Sequence, residues 1–347
     1  MASQVRDRIW LAWIASLTGT GPRETQTAAL PSNRFHCLLD ELPLHLIPRH
    51  ALESESWKTK HQPLFLNPNC VLTSPGQVPT ELESQRYLLE GFDLQHTIAW
   101  VRDPATASLH PFWLGPRLEA MVLSLRAEEP ATASLSADGR SLLSKARILI
   151  PAHYSEQRCS QWAEIVRKWA PVFRDTGYAP LRGLIHPFSV AALRRYYRHA
   201  IRRGAIRLGD EQCSRRYAVH NECVARFFHH QLANTISAIA REAIKPSYVY
   251  LASYLSGAEL KKHTDREQCE FSISLCLDFS PEPQLATSWP IRLDTPQGTV
   301  TVYQALGDGL VYRGVKVPHY RNILADEHTS TSIFFHYVAE DFAGRLD

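Results

Sequence analysis

The stretch KKHTD, residues 261 to 265, places two side chains that can bind a metal ion just before a strongly alternating segment. His263 and Asp265 are two positions apart, and in extended backbone residues i and i+2 point to the same side. They can therefore present an imidazole nitrogen and a carboxylate oxygen to one ion. The chain has 16 histidines, so this pair taken alone is weak evidence of a metal site.

A third candidate ligand lies further along, in the segment GDGLVYRGVKVPHYR. A turn, a strand and a loop in this segment are expected to deliver His319. Two histidines and one carboxylate, without cysteine, form the facial triad that holds non-haem Fe(II) and leaves coordination positions open. Zinc can use the same ligands, so the residues by themselves leave the metal open between iron and zinc.

These segments together resemble a known family. YLSGAELKKHTD, the alternating strand after it and GDGLVYRGVKVPHYR resemble the iron(II)/2-oxoglutarate-dependent dioxygenases, nearest to the prolyl-4-hydroxylase-like branch. The resemblance covers roughly residues 180 to 347. It implies a double-stranded β-helix core (jelly-roll, cupin-like) with packed helices, and Fe(II) bound by His263, Asp265 and His319.

The resemblance also implies an activity. 2-Oxoglutarate would chelate the iron and be decarboxylated to succinate and CO2, while O2 is activated to remove a substrate hydrogen. The expected reaction is hydroxylation of an amino-acid-derived, peptide or natural-product substrate. Two alternatives stay open: a catalytically silent β-sandwich used for binding, and a metal-dependent enzyme of another class on a similar barrel.

The residue that binds the far carboxylate of 2-oxoglutarate departs from the family pattern. The family supplies an Arg or Lys on the final strand, at the place where this chain has Thr329. Arg321, two residues beyond His319, offers a planar guanidinium suited to a carboxylate and is the first candidate. Further candidates for contacts with 2-oxoglutarate are Tyr254, for which core packing is the competing interpretation, and Ser330 and Ser332, which would share one strand face.

The elements that must position these residues are strands. After residue 242 the hydrophobic period changes from 3.6 to 2, and short segments rich in β-branched and aromatic residues follow. They predict a sandwich or barrel of at least five strands. In EFSISLCLDF, one face is expected to carry Phe271, Ile273, Leu275, Leu277 and Phe279, and the other Ser272, Ser274, Cys276 and Asp278.

Helical periodicity precedes the strands, so the predicted fold class is α+β. SEQRCSQWAEIVRKWAPVF is expected to begin with Ser155 as its N-cap, and SVAALRRYYRHAIRRG with Ser189. A third helix is predicted over NECVARFFHHQLANTISAIARE, and another over residues 4 to 17. Residues 128 to 145 are small, polar and interrupted by Gly and Pro, which is typical of a surface loop or interdomain connection.

Two units are predicted. Residues 1–150 are an irregular region rich in proline, expected to act as a substrate-recognition arm or dimerisation surface and to cover the mouth of the barrel. Residues 151–347 contain the dioxygenase domain with its preceding helices.

The composition of the chain limits which kinds of partner and which cellular location are expected. The chain has 347 residues, of which 44% are hydrophobic, and a net charge of only +3, which argues against nucleic acid as the main partner. Its 7 cysteines are scattered and form no CxxC pair, which favours reduced thiols in the cytoplasm. No window approaches the ~20 apolar residues of a membrane span. We therefore expect a soluble cytoplasmic protein whose partners are O2 and a small-molecule or peptide substrate.

Overall fold

The computed structural model of the chain describes residues 34–52, 62–126, 129–131 and 135–347. The predicted helix over residues 4 to 17 lies outside them. The expected mixture of helices and antiparallel sheets is confirmed. In the described ranges, no helix combines the length and the apolar content that crossing a membrane requires.

The described part of the N-terminal region is built from short elements, as its many prolines predict. The helices are α1 (Arg49–Leu52), α2 (Thr80–Glu83), α3 (Pro116–Leu123) and α4 (Ala137–Lys145). The strands are β1 (Phe65–Leu66), β2 (Cys70–Thr73), β3 (Ile98–Arg102), β4 (Leu109–Trp113) and β5 (Leu149–Ile150). Strands β2, β3 and β4 form one antiparallel sheet, and β1 pairs with β5. Single 3-10 turns span Leu39–Glu41, Leu44–Leu46 and Arg86–Leu89.

The prediction of a loop over residues 128 to 145 is wrong for its second half, which is helix α4. Ser136 caps this helix, because its Oγ accepts a hydrogen bond of 3.2 Å from the backbone N–H of Gly139. Leu143 is fully buried on the inner side. One buried leucine and a good cap are enough to stabilise a two-turn helix against a core, and a composition average does not detect either.

Four helices lead into the second half. They are α5 (Tyr154–Thr176), α6 (Pro187–Arg202), α7 (Cys223–Gln231) and α8 (Ala233–Ala240). The predicted caps Ser155 and Ser189 are wrong, because both residues lie inside their helices. Helix α6 instead begins at a proline, and the His186 ring accepts from the N–H of Phe188. The single helix predicted over NECVARFFHHQLANTISAIARE is in fact two helices, α7 and α8, which meet at Leu232.

The strands that follow form two antiparallel sheets. The strands of the second half are β6 (Tyr178–Leu181), β7 (Arg207–Leu208), β8 (Arg216–His220), β9 (Ile244–Tyr254), β10 (Leu260–His263), β11 (Phe271–Ser280), β12 (Ile291–Thr295), β13 (Gly298–Val302), β14 (Gly309–Tyr312), β15 (His319–Arg321) and β16 (Thr329–Ala339). The larger sheet has the order β6-β14-β11-β16-β9-β8-β7, and the smaller one β10-β15-β12-β13. The 3-10 turn Glu267–Cys269 precedes β11.

From Phe271 to Leu277, the apolar and polar side chains of β11 alternate between its two faces as predicted. Phe271 and Leu277 both belong to the main core beneath the helices. The prediction for Phe279 is wrong. The register against β16 shifts between Cys276 and Asp278, so this bulge inserts one extra residue and reverses the alternation. Phe279 consequently joins a separate cluster on the inner side, and Asp278 points at helix α6.

The hydrophobic core crosses the expected boundary near residue 150. Phe35 packs against Phe228 with ring centroids 5.9 Å apart, and Phe92 against Phe227 at 4.9 Å. These contacts attach the N-terminal region to α7, on the side of the large sheet that carries the helices. A smaller cluster joins the two sheets, through Ile291 and Leu293 on the small sheet and Leu310 and Tyr312 on the large one.

Candidate metal centre

Strand pairing brings the two candidate histidine ligands together. His263 is the last residue of β10 and His319 the first of β15, and they are directly opposed in the antiparallel register. Their ring centroids are 4.4 Å apart. His319 is buried, with 3% of its side chain exposed, whereas His263 is 37% exposed. One imidazole thus belongs to the interior and the other to its rim.

Asp265 completes the group two residues after His263. Its Oδ1 lies 3.5 Å from the Nε2 of His263 and 3.5 Å from the Nε2 of His319. Its backbone N–H donates to the carbonyl of Gly314 at 2.9 Å. A Cβ at Gly314 would collide with the Asp265 carboxylate, with the Cys269 carbonyl and with Ser272, so only glycine leaves room for this arrangement.

The hydrogen bonds of the two rings fix which nitrogen points inward. The Nδ1 of His263 bonds to the carbonyl of Lys261 at 2.7 Å, and the Nδ1 of His319 to the carbonyl of Val317 at 3.0 Å. A carbonyl only accepts, so each Nδ1 carries a proton and each neutral ring presents the Nε2 lone pair. Two lone pairs then converge on a carboxylate oxygen, and all three ligand atoms lie within 4.8 Å of one another. A cation satisfies this donor set, and the tethered Nδ1 atoms orient it.

The electrostatics of the group keep its carboxylate ionised. Burial by itself would raise the pKa of Asp265, but its contacts with the His263 and His319 rings outweigh burial and hold that pKa far below its usual range. The same contact with Asp265 raises the pKa of His263, against the effect of burial. Because a metal ion needs the deprotonated ring, protons and the ion compete at His263.

A second group of possible ligands lies behind Asp265 and was not predicted from the sequence. It combines Asp265 with Cys269 and His336. Burial raises the pKa of the Cys269 thiol to about 12, with a further contribution from Asp265, so the thiol stays protonated near neutral pH. A thiol is a poor ligand compared with a thiolate, which favours the His263 group. Burial also lowers the pKa of His336 to about 4, so that ring is neutral.

Ser272 connects these two groups. Its hydroxyl is 2.8 Å from Nδ1 of His336 and 3.4 Å from Oδ2 of Asp265. Ser272 lies on the predicted polar face of β11 and is fully buried. It therefore supports the carboxylate oxygen that faces away from the histidines.

The His263 group opens on a cavity of about 810 Å³ between the sheets. None of the described residues before Arg207 lines this cavity, so the described N-terminal residues do not form its mouth. Arg216 lines it, but its Nε and Nη2 already donate to the carboxylate of Asp210, at 2.6 and 3.0 Å. The aromatic residues of the lining are Tyr248, Tyr250, Tyr254, Tyr312 and Phe334.

Arg321 occupies an unusual position for a charged side chain. It is 3% exposed, and within the described residues it forms no ion pair with a carboxylate. One guanidinium nitrogen donates to the carbonyl of Trp289 and another to Oε1 of Gln304 at 3.1 Å, while its Nε has no hydrogen-bond partner in the described part of the chain. Burial lowers the pKa of Arg321. A buried cation without a counter-charge is costly, and the Trp289 ring, with its centroid 4.9 Å from the guanidinium carbon, offsets part of that cost. Arg321 is therefore a candidate for binding an anion.

Arg321 does not line the cavity itself, but its neighbours do. Tyr254 and Tyr312 belong to the lining, and burial raises the pKa of each, while the nearby charge of Arg321 acts in the opposite direction. The Tyr254 ring packs on Trp289 at 5.1 Å, and its hydroxyl accepts from Arg216 at 3.4 Å. Tyr254 is thus both a packing residue and part of the cavity wall.

Ser330 and Ser332 are buried on β16 and lie outside the cavity lining. Ser330 is opposed to Tyr254 on β9, and Ser332 to Cys276 on β11. Ser330 and Ser332 therefore lie beside residues of the cavity wall and of β11, but their side chains do not line the cavity.

Ser274 is a residue that sequence reasoning assigned to the polar face without a role. Its Oγ is buried and has no hydrogen-bond partner among the described residues. Gln304 links it to Arg321, because the Gln304 Nε2 donates to the Ser274 carbonyl at 2.8 Å. Gln304 thus joins the backbone of Ser274 to the guanidinium of Arg321, and each of these two residues carries a buried polar atom without a partner in the described chain. The alternation of small polar residues along β11 is the sequence feature that could have indicated a role for Ser274.

Comparison with known proteins gives likenesses in fold only. No family model and no curated protein sequence matches the chain. Among solved structures, HygX from Streptomyces hygroscopicus, with nickel, 2-oxoglutarate and hygromycin B bound, is 11% identical, with a TM-score of 0.42 over 51% of this chain and 88% of HygX. A Pseudomonas putida prolyl-4-hydroxylase is 17% identical, with a TM-score of 0.40 over 50% of this chain and 98% of the hydroxylase.

A third similar structure is SnoN, a non-haem α-ketoglutarate-dependent epimerase from nogalamycin biosynthesis. It is 14% identical, with a TM-score of 0.42 over 51% of this chain and 84% of SnoN. At these identities and TM-scores the likeness says nothing of what this chain does, and its activity has to follow from its own residues.

Proposed function

We propose that this chain is a non-haem Fe(II)- and 2-oxoglutarate-dependent oxygenase built on a double-stranded β-helix, with the two antiparallel sheets as its walls. The observation that carries the proposal is the convergence of three acceptor atoms, from His263, Asp265 and His319, at the edge of a cavity. Two histidines and one carboxylate are the ligand set of such iron sites.

In this proposal His263, Asp265 and His319 bind Fe(II). The bound metal would supply the activation of O2. The tethered Nδ1 atoms hold both rings in the inward orientation, and Gly314 and Ser272 hold the carboxylate. These contacts organise the ligands before the metal arrives, which lowers the entropic cost of binding it.

Arg321 is proposed to bind the far carboxylate of 2-oxoglutarate, with Ser274 donating a hydrogen bond to it. Arg321 follows His319 by two residues on β15, and on a strand this corresponds to roughly 6.6 Å along the same face. A short dicarboxylic acid can therefore reach from the metal ligands to the guanidinium. Arg216 is a weaker candidate because Asp210 already neutralises it. The proposed surroundings of the cosubstrate are completed by Tyr254, Ser330 and Ser332.

The proposed reaction is hydroxylation of an amino-acid-derived, peptide or natural-product substrate, with release of succinate and CO2. A cavity of about 810 Å³ lies within the range for drug-sized ligands. Tyrosines provide flat apolar surface and hydroxyl groups for such a substrate.

The proposal is tested under anaerobic conditions by adding Fe(II) and then 2-oxoglutarate to the full-length protein. A visible charge-transfer band of the chelated 2-oxo acid is expected. It should vanish in His263→Ala and Asp265→Ala and persist in His153→Ala, which removes a histidine that is 77% exposed and remote from the cavity.

Two other outcomes would contradict the proposal. A folded protein that binds no metal would favour a silent binding module. Binding of Zn(II) or Fe(II) through the same three residues, without the band and without succinate formation, would favour a metal enzyme of another class.

A further inference from the structure

A second cavity, of about 900 Å³, lies on the other side of the large sheet and shares no lining residue with the cavity of the metal centre. It is formed where β4 of the N-terminal region meets α5, α7 and β13. Its apolar walls include two tryptophans on one face of α5. The main apolar lining residues are Leu109, Trp162, Ile165, Trp169, Phe228 and Leu232.

The charges that line this cavity are unbalanced. Its cationic lining residues are Arg147, Arg158, Lys168 and Arg182, whereas Asp103 is the one carboxylate among the described lining residues. Arg182 is paired outside the lining with Asp308 at 2.7 Å, so the excess comes from the other three cations. Asp103 is 4% exposed and already accepts bonds from the backbone N–H groups of Ala105 and Thr106. The second cavity therefore carries an excess of positive charge.

Two arginines share this single carboxylate unequally. The Nε of Arg158 donates to Oδ2 of Asp103 at 2.8 Å. The nearest nitrogen of Arg147 is 3.6 Å from the same oxygen, which is beyond hydrogen-bonding distance. The guanidinium of Arg147 thus keeps donors for another acceptor.

Two further polar groups in this cluster have no partner in the described part of the chain. They are the Nδ1 of His110, which lines the cavity, and the hydroxyl of Tyr154, which lies outside the lining, and both atoms are shielded from solvent. The guanidinium of Arg147 lies over the Tyr154 ring, 5.9 Å from its centroid. Burial lowers the pKa of His110 to about 4, so its ring is neutral and can still donate or accept. Buried polar groups are normally hydrogen-bonded, so these atoms indicate an absent partner.

The backbone conformation at Arg147 restricts which residues can replace it. Arg147 follows the C-terminus of α4 with a φ of +60°, a left-handed conformation that glycine or asparagine adopts more readily there. The Nδ2 of Asn67 donates to its carbonyl at 2.8 Å and helps to hold it.

We propose that this second cavity binds a small organic oxyanion with a flat apolar body. Its carboxylate or phosphate group would accept hydrogen bonds from Arg147 and from the Nδ1–H of His110, and its body would pack on Trp162. A charged group buried beside apolar walls gains strongly from a guanidinium that has free donors. The site is independent of the proposed oxygenase activity, because it lies in a different cavity.

The test compares matched probes by calorimetric titration of the full-length protein. Benzoate is expected to bind at least 10-fold more tightly than benzamide, its neutral isostere, because the interaction requires the charge. Phenyl phosphate distinguishes the two anion types, and tighter binding than benzoate would assign the site to phosphate esters. Equal binding of benzoate and benzamide, or no binding of any of the three probes, would overturn the proposal.

Two variants locate the binding. Arg147→Asn keeps a residue that tolerates the left-handed backbone, and it should weaken benzoate binding at least 10-fold. Its control is Arg241→Asn, which removes an arginine with a φ of +59° outside this lining and should change nothing. His110→Phe keeps an aromatic ring, removes the unpartnered ring nitrogen and should weaken benzoate binding several-fold.

To show that benzoate does not bind at the metal centre, the benzoate titration is repeated with His263→Ala in the presence of EDTA. Unchanged benzoate affinity is expected there, whatever becomes of the oxygenase proposal. Loss of benzoate binding in His263→Ala, or full affinity in Arg147→Asn, would place the anion elsewhere and refute the assignment.

Discussion

His263 and His319 are directly opposed across the β10–β15 pair, and their Nε2 atoms lie at the same distance, 3.5 Å, from one oxygen of Asp265. This symmetry follows from strand register. The pairing of β10 with β15 brings the side chains of His263 and His319 together, and the segment after β10 adds Asp265. The candidate centre therefore depends on features that can be changed one at a time.

Gly314→Ala should reduce metal affinity by about 10- to 100-fold, the range found for changes in residues that orient metal ligands. The added Cβ would displace the Asp265 carboxylate while leaving all three ligands in the chain. Calorimetric titration with Co(II) or Fe(II) measures the effect. Gly344→Ala, whose Cβ would meet only the Phe342 ring, is the control. Unchanged metal affinity in Gly314→Ala would show that the Asp265 position does not depend on Gly314.

Ser272→Ala and Ser274→Ala should separate the two proposed functions of the polar face of β11. Ser272 contacts Asp265, so its loss should weaken metal binding with little effect on 2-oxoglutarate. Ser274 belongs to the Arg321 region, so its loss should weaken 2-oxoglutarate with little effect on the metal. Each variant is the control for the other. If both variants weakened both ligands equally, the effect would be a general disturbance of the strand.

Arg321→Gln should abolish the preference for a dicarboxylic cosubstrate. The unmodified protein is expected to bind 2-oxoglutarate about 10- to 100-fold more tightly than 2-oxopentanoate, which has a methyl group in place of the far carboxylate. In Arg321→Gln this ratio should approach one. Arg292→Gln on the neighbouring strand β12 should keep the preference. Retention of the preference in Arg321→Gln would refute the assignment of Arg321.

Asp278→Asn should destabilise the protein near neutral pH by about 3 kcal/mol, because the change leaves two arginines of α6 with less counter-charge. Asp278 accepts from Arg194 at 2.9 Å and from Arg198 at 2.6 Å, and the Arg194 side chain is 0% exposed. Urea unfolding measures the free energy. Asp175→Asn, which alters a fully exposed ion pair, should leave it nearly unchanged.

The same carboxylate predicts a pH dependence. Burial by itself would raise the pKa of Asp278, but Arg194 and Arg198 lower it below its usual value. A group whose pKa is lower in the folded state stabilises the fold above its unfolded pKa of about 3.9, and this contribution is lost as the pH falls further. The unfolding free energy of the unmodified protein should therefore fall more steeply below pH 4 than that of Asp278→Asn. Parallel curves would contradict this assignment.

Local sequence patterns predicted the parts of the site that depend on short-range geometry. The spacing of His263 and Asp265 was sufficient to place them on one side, because extended backbone repeats every two residues. The alternation in β11 gave the correct face for Ser272 and Ser274. It failed at Phe279, because a bulge opposite β16 is a property of two paired strands and leaves no period in either one.

The sequence by itself determined the chemical identity of the candidate ligands, the succession of helices and then strands in the second half of the chain, and the choice of Arg321 as a candidate partner for a carboxylate. Only the tertiary structure decided that His319 is opposed to His263, that Arg321 is buried without a carboxylate partner in the described chain, and that a second basic cavity lies beneath α5. The physical reason is that periodicity reflects neighbours within a few residues. Contacts between distant residues depend on strand register and on which groups lose their water, and both are set only when the chain is packed.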